Sequence, residues 1–270
     1  MKIKYGILFI AILPFFNFNY GSDLSNKFGK LKIYSDSESM DNVGYKNCNM
    51  KTNGESLVIK NLIKSEDVVF DIGADTGSWS QSVFSKFPSA TIYAFEPLTH
   101  VFKKLRSKYK NKKFSAYNIA FSDYIGEAKF FYYPEYSRVS GFYDRDILRE
   151  KFKWEPKEIN IKVDTLDSFC QKNNILHIDF LKIDTEGEEF NILKGAKMLL
   201  TQKAISIIQF EYGGCWLDAK TKLRDAYELL KSYDYCIYRI SKDGLINIPK
   251  WNNKLENYKY SNYLAILRSS

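Results

Sequence analysis

The chain has 270 residues, and 45% of them are hydrophobic, ample for the core of one sizeable domain. Its formal charge of +8 comes from lysines scattered along the sequence, and the densest run, Lys103 to Lys113, reads as the solvated face and end of a helix, so charge gives only weak grounds for a nucleic-acid partner. Four cysteines at positions 48, 170, 215 and 236 form no C-x-x-C pair and only two histidines are present, which argues against a structural zinc site or a disulfide framework and makes a reducing compartment the default.

The N-terminus complicates that default. Lys2 and Lys4 precede an apolar run from Tyr5 to Phe16, broken by Pro14, in the charge order of a secretory leader. The run is short for a membrane span, and Asn17 to Ser22 makes a poor cleavage site. A leader, a membrane-surface anchor through residues 5–16 and a buried helix are all open readings. The division expected is a leader or anchor over residues 1–21, an extension over 22–56 and a catalytic domain over 57–270. The expected setting is cytoplasmic, with membrane association or export as the alternatives.

From Leu57 onward, strand and helix patterns alternate, which predicts a doubly wound, mainly parallel sheet. The run Val68 to Ile72 has a buried-strand pattern and leads through Gly73, Ala74, Asp75 and Gly77 into a helix from Ser78 to Phe87. Such turns usually receive phosphate, because their free N–H groups and the helix dipole attract anions. Asp71 and Asp75 would repel one, and the G-x-G-x-x-G spacing is absent. A sulfonium, an ammonium and a ribose diol suit the turn better, which points to S-adenosylmethionine. The next strand, Ala90 to Phe95, ends in Glu96-Pro97, about 20 residues after the glycines, where an acid accepts hydrogen bonds from both ribose hydroxyls.

Val101, Leu105 and Tyr109 mark a second helix, and Phe114 to Phe121 a third strand. Between that strand and the fourth, Ile178 to Ile183, residues 126–174 depart from simple alternation. Ala128 to Tyr133 and Glu158 to Val163 read as an inserted β-hairpin, a candidate lid over the acceptor. Its aromatic residues, Phe130 to Tyr133, Tyr136, Phe142 and Tyr143, either stack on sugar rings or pack the hairpin onto the domain, with Arg138 beside them for a hydroxyl or an anion. Phe190, Leu193, Ala196 and Leu200 recur at helical spacing, Ala204 to Phe210 gives strand five, and Leu223 to Leu230 a further helix. Tyr235 to Ile240 and Tyr263 to Leu267 complete seven strands, one of the last pair antiparallel. That order suits a Rossmann-like class I methyltransferase sheet.

Asp184 and Glu186 follow strand four and Glu211 ends strand five, so all three face the place where a transferable methyl would sit. They are the candidates for a general base, or for ligands of a hard divalent ion, although no metal site is predicted. Glu188 and Glu189 are better read as first-turn acids of the next helix, and Lys182 as a structural partner of the acids. His177 falls at the opposite edge of the sheet, and His100 lies near the nucleotide side.

Taken in order, Asp71 to Gly77, Phe95-Glu96-Pro97, Asn118 to Asp123, Val163 to Asp167, Phe180 to Glu189 and Leu193 to Ala196 resemble the FkbM-type S-adenosylmethionine-dependent methyltransferases. The Lys-Ile-Asp-x-Glu-Gly-x-Glu block carries most of the specificity, and Asp75 stands where the family usually shows Asn. The resemblance implies that Asp71, Gly73, Ala74, Asp75 and Gly77 wrap the methionine part of the cofactor. It implies that Glu96 and Pro97 hold the ribose and that Asn118, Ala120, Ser122 and Asp123 border the adenine. Ser140-Gly141 resembles a small-residue point of the family's insertion, whose glycine would admit a substrate closely. The reaction implied is O-methylation of a sugar, glycan or related small molecule. The alternatives are methylation of a nucleic acid, which is not expected, and a noncatalytic S-adenosylmethionine-binding protein.

Overall fold

Five apolar runs rich in β-branched and aromatic residues form the parallel centre of the molecule, and the chain between them is long enough for helical crossovers. The structure, a computed structural model, describes residues 31–35, 48–109 and 111–268. The strands are β1 (Lys32–Tyr34), β2 (Val68–Ile72), β3 (Thr91–Phe95), β4 (Phe114–Tyr117), β5 (Ala120–Phe121), β6 (Gly126–Tyr132), β7 (Lys157–Asp164), β8 (Ile178–Ile183), β9 (Ile205–Tyr212), β10 (Tyr235–Ser241), β11 (Gly244–Asn247) and β12 (Ser261–Leu267). The helices are α1 (Glu55–Leu62), α2 (Ser78–Lys86), α3 (Thr99–Lys108), α4 (Asp146–Phe152), α5 (Leu166–Lys172), α6 (Glu189–Lys194), α7 (Lys197–Thr201), α8 (Cys215–Asp218) and α9 (Leu223–Ser232). The apolar run at residues 5–16 lies outside the described residues. Among the described residues no helix is long and apolar enough to cross a membrane.

The large sheet has the order β1-β11-β10-β12-β9-β8-β2-β3-β4. It therefore has nine strands where the sequence predicts seven. All seven expected strands lie in it as neighbours, from β4 to β10, with β12 antiparallel between β9 and β10. The two additional members are short: β11 returns antiparallel on β10, and β1 pairs parallel with β11. Strands of four and three residues are too brief to leave a periodic signal.

Two further differences have local causes. The predicted third strand divides, because the Asn118 side chain donates to the carbonyls of Glu96 and Pro97 at 2.9 and 2.8 Å and turns the backbone. β4 stays in the large sheet, whereas β5 joins a three-stranded sheet with β7 and β6. The antiparallel β6–β7 pair is the expected inserted hairpin, with Ala128 opposite Ile161 and Phe130 opposite Ile159. The apolar spacing from Phe190 to Leu200 is divided between α6 and α7, and the break falls at Gly195, against the backbone of Ser122.

Alternate strand residues serve opposite faces, as the two-residue period requires. Phe70 and Ile72 pack under α5, α6 and α9 with Leu193, Phe210 and Trp216. Val69, Ile92 and Phe180 pack against α1 and α2 with Val58, Trp79 and Val83. The first face is centred on Phe169, whose ring meets Phe95, Tyr117, Phe121 and Phe70 edge-on at centroid distances of 4.9 to 6.0 Å. Phe169→Ala should lower the free energy of unfolding by about 3–5 kcal/mol, read from the denaturant midpoint, because close-packed rings cannot collapse into the space left.

Candidate active site

A cavity of about 490 Å³ opens over the carboxyl ends of β2, β3, β8 and β9, where ligands of open α/β sheets bind. Its floor at β2 is the glycine turn. Gly73 has φ 78°, and a Cβ there would lie 1.8 Å from the Asp184 carbonyl oxygen, so β2 and β8 meet too closely for any side chain. Gly77, at φ 81°, precedes α2 and lies outside the cavity wall. Ala74, Asp75, Glu96, Pro97 and Ala120 are on the wall.

Glu96 is nearly completely buried, and its two carboxylate oxygens accept from the backbone N–H groups of Leu98 at 2.8 Å and Asp75 at 3.0 Å. Each oxygen retains a lone pair for another donor. Burial pushes its carboxyl up to about 7, helped by the charge of Asp75 and opposed by the two N–H bonds. Leu98, Val101, Phe121, Phe130 and Phe142 make the adjoining wall apolar and partly aromatic.

Register puts Asp71, Lys182 and Gln209 side by side on β2, β8 and β9. Lys182 is buried, with Nζ 2.9 Å from Asp184 and 3.5 Å from Asp71, and it lies over the Trp79 ring. Burial pulls its pKa down, but Asp184, Asp71 and Glu55 outweigh that and hold it above the usual lysine range, so the ammonium stays charged. The Oδ1 of Asp71 has no hydrogen-bond partner among the described residues, while its Oδ2 accepts from the Ser80 hydroxyl.

Asp184, Glu186 and Glu211 converge, with one oxygen from each lying within 4.8 Å of the others. Burial raises Asp184, but Lys182 and a hydrogen bond from Glu211 outweigh it and hold this carboxyl below its usual range. Burial, together with the charge of Asp184, its hydrogen bond to Asp184 and the charge of Glu186, pushes Glu211 far up, which favours the proton-bearing form of this carboxyl. Glu186 is raised to about 7 by burial and by Asp184, against the pull of Arg145, whose Nη1 donates to it at 2.7 Å. A divalent ion would have to compete with Lys182 and Arg145 for these oxygens; as they stand, the three suit proton exchange.

Several expected site residues stand elsewhere. Asn118 holds the Glu96-Pro97 corner from behind, the Ser122 hydroxyl donates to Glu188, and Asp123 pairs with Lys194 at 2.6 Å at the surface. None of the three is on the cavity wall, which the chain reaches here through Ile119, Ala120 and Phe121 instead. Glu188 and Glu189 are buried structural acids. Glu188 accepts from Ser122, Tyr143 and Asn191, and Glu189 accepts from the N–H groups of Thr185 and Gly187, which fixes the turn that presents Asp184 and Glu186. Gly141 lies against the Glu186 backbone, so its small size serves packing of the insertion. Of the insertion aromatics, Phe130, Tyr136 and Phe142 line the cavity, whereas Tyr133 is buried with its hydroxyl on Asp144. His177 bonds Ser206 at the far end of β8, and His100 packs edge-on against Tyr132.

Arg145, Glu55 and Tyr260 line the cavity without having been singled out by sequence. Each belongs to a segment whose periodicity reports only secondary structure. Arg138 does reach the site, and its Nε donates to Asp75 at 3.0 Å.

The fold and the pocket are those that a class I methyltransferase would need for S-adenosylmethionine. The residues fit that cofactor: acids face its ammonium and sulfonium, Glu96 keeps lone pairs for the ribose, and an apolar recess adjoins Glu96 for the base. The model of the methyltransferase FkbM domain matches residues 71–237, and the chain belongs to this family of S-adenosylmethionine-dependent methyltransferases. It is 27% identical over 165 residues to the AMB antimetabolite synthetase AmbE of Pseudomonas aeruginosa, a match covering 50% of this chain and 8% of that one. It is 26% identical over 159 residues to the 31-O-demethyl-FK506 methyltransferase FkbM of Streptomyces tacrolimicus, covering 50% and 61%. With the 2-O-methyltransferase NoeI of Sinorhizobium fredii it shares 24% identity over 189 residues, covering 66% and 76%. The chain thus spans less than two thirds of the length of the first two.

Lys182→Met should destabilise the fold by about 3–5 kcal/mol in urea titration, because Asp71, fully buried on β2, is left without its cation.

Proposed function

We propose that this methyltransferase acts on oxygen, transferring the methyl group to a hydroxyl of a sugar, glycan or related small molecule. The observation that carries the reading is the convergence of Asp184, Glu186 and Glu211 at one end of a cavity whose other end suits the nucleoside. A hydroxyl is a poor nucleophile until it loses its proton, and a carboxylate beside it supplies the acceptor. Two of the relatives are named as O-methyltransferases, which supports the same chemistry here. A cosubstrate made in the cytosol favours a cytoplasmic setting.

When bound, S-adenosylmethionine supplies an electrophilic methyl on sulfur. Gly73, Ala74 and Asp75 hold the amino-acid part, with Asp71 buried behind them and off the cavity wall, Glu96 takes the ribose hydroxyls, and the apolar wall at Leu98, Ala120 and Phe121 receives the adenine. Glu186 is the member of the trio best suited as base: Lys182 holds Asp184 ionised and weakly basic, while Glu211 already bears a proton. Arg145 orients Glu186. Proximity and alignment of the acceptor oxygen supply the larger share of the rate.

Calorimetric titration with S-adenosylmethionine, followed by methyl-transfer assays on glycosides, tests the reading. Glu96→Ala should abolish cofactor binding, whereas Glu186→Gln should leave it intact and lower kcat by about 10²–10⁴-fold. A Glu186→Gln enzyme with normal turnover would remove the carboxylate base. Because the raised carboxyl is protonated below about 7, kcat/KM should climb as the pH rises through about 7 and then level off. A pH-independent rate would assign the proton to another acceptor.

A further inference from the structure

The cavity extends beyond the segment that the family domain spans. Residues between 71 and 237 build the glycine turn, the ribose corner, the insertion wall and the acidic trio. The remaining wall is made by residues on either side of that segment: Cys48, Met50 and Glu55 before it and Tyr260 after it. Glu55 opens α1 and is 6% exposed, with Oε1 held by Asn53 at 2.6 Å and Oε2 by Gln209 at 2.8 Å. Tyr260 immediately precedes β12, where Asn262 is in register with Glu211, so the phenol is delivered to the acidic trio. Its oxygen accepts from Asn262 at 3.3 Å, and among the described residues its hydrogen has no acceptor.

The charge pattern decides what could bind there. Among the described residues three cations line the cavity, and each is already paired: Lys182 with Asp184, Arg138 with Asp75 and Arg145 with Glu186. A phosphate or carboxylate entering beside Glu55 would meet the charge of Asp184 and, among the described residues, no uncommitted cation. A neutral ring bearing hydroxyls can add donors to the lone pairs that Asn53 and Gln209 leave on the Glu55 oxygens and an acceptor for the Tyr260 hydrogen, while Met50 and Trp79 offer apolar surface to its C–H face.

We infer that Glu55 and Tyr260 are specificity-determining residues that read an uncharged, hydroxyl-bearing ring, and that this chain's acceptor preference is written outside the family segment. The inference rests on the saccharide reading above and narrows it. Removing either polar atom leaves a bound hydroxyl without its partner, which weakens binding by about tenfold. The nucleoside end of the cavity is not involved.

The test uses the full chain saturated with S-adenosylhomocysteine and follows ligand binding by saturation-transfer NMR. The probes are methyl glucoside, methyl fucoside, methyl rhamnoside and N-acetylglucosamine, with glucose 6-phosphate and N-acetylglucosamine 6-phosphate as anionic counterparts. Expected are binding of a neutral sugar, weaker or absent binding of its phosphate, and a loss of about tenfold in Tyr260→Phe and in Glu55→Gln with S-adenosylhomocysteine affinity unchanged. Tyr260→Phe keeps the ring and therefore the packing, so it serves as the decisive variant if Glu55→Gln folds poorly. A neutral sugar held equally well by Tyr260→Phe, a preference for the phosphorylated sugars, or loss of S-adenosylhomocysteine binding in Tyr260→Phe would overturn the assignment while leaving the saccharide reading in place. Failure of every neutral sugar to bind the loaded wild-type protein would overturn both.

Discussion

One buried ammonium organises the centre of this molecule. Lys182 sits in the middle of a parallel sheet, where an isolated charge would not be tolerated, and is held there by Asp184 just past the end of its own strand and Asp71 on the neighbouring one. Asp71 lies on β2 just before the glycine turn, and Asp184 belongs to the acidic trio. A single cation therefore fixes the spacing between the strand that leads into the turn and the trio. It also sorts the acids by protonation. Lys182 holds Asp184 low, while burial, with the charge of Asp184 added, drives Glu211 and Glu186 upward, so three similar carboxyls acquire different proton affinities.

The insertion is a working wall of the site. β6 and β7 form a small separate sheet, and the loop between them carries Arg138 to the glycine turn and Arg145 to Glu186. The aromatic residues that make this region conspicuous in the sequence divide between packing the insertion and lining the cavity. Tyr133 and Tyr143 lock the loop through buried hydroxyls, whereas Phe142 and Tyr136 face the cavity. The positively charged residues do more of the positioning than the rings.

Much of this was legible because it is periodic or local. The five parallel strands are continuous apolar runs, the glycine turn announces itself by composition, and Glu96 follows at a spacing set by the βαβ unit. What escaped depends on contacts between residues far apart in sequence. Asn118 looks like part of a strand, and only the Glu96 and Pro97 carbonyls, more than twenty residues earlier, turn it into the hinge that sends β5 to another sheet. Arg145 reads as an ordinary residue ahead of a short helix until Glu186 is found beside it. Glu55 and Tyr260 lie at opposite ends of the described chain, and no motif links them. Ser122 and Asp123 fall in an ordered block of family resemblance, yet serve to tie β5 to α6.

The two arginine contacts of the insertion differ in kind. Arg145–Glu186 is mostly withdrawn from water, with side chains 13% and 20% exposed, whereas Arg138–Asp75 is open, with Arg138 half exposed. An open pair of that sort contributes at most about 1 kcal/mol and weakens with salt, whereas the enclosed one resists both. The insertion is thus held firmly at Glu186 and only lightly at Asp75. Under the proposed function that asymmetry would let S-adenosylmethionine and its product pass on the loosely closed side while Glu186 keeps its partner.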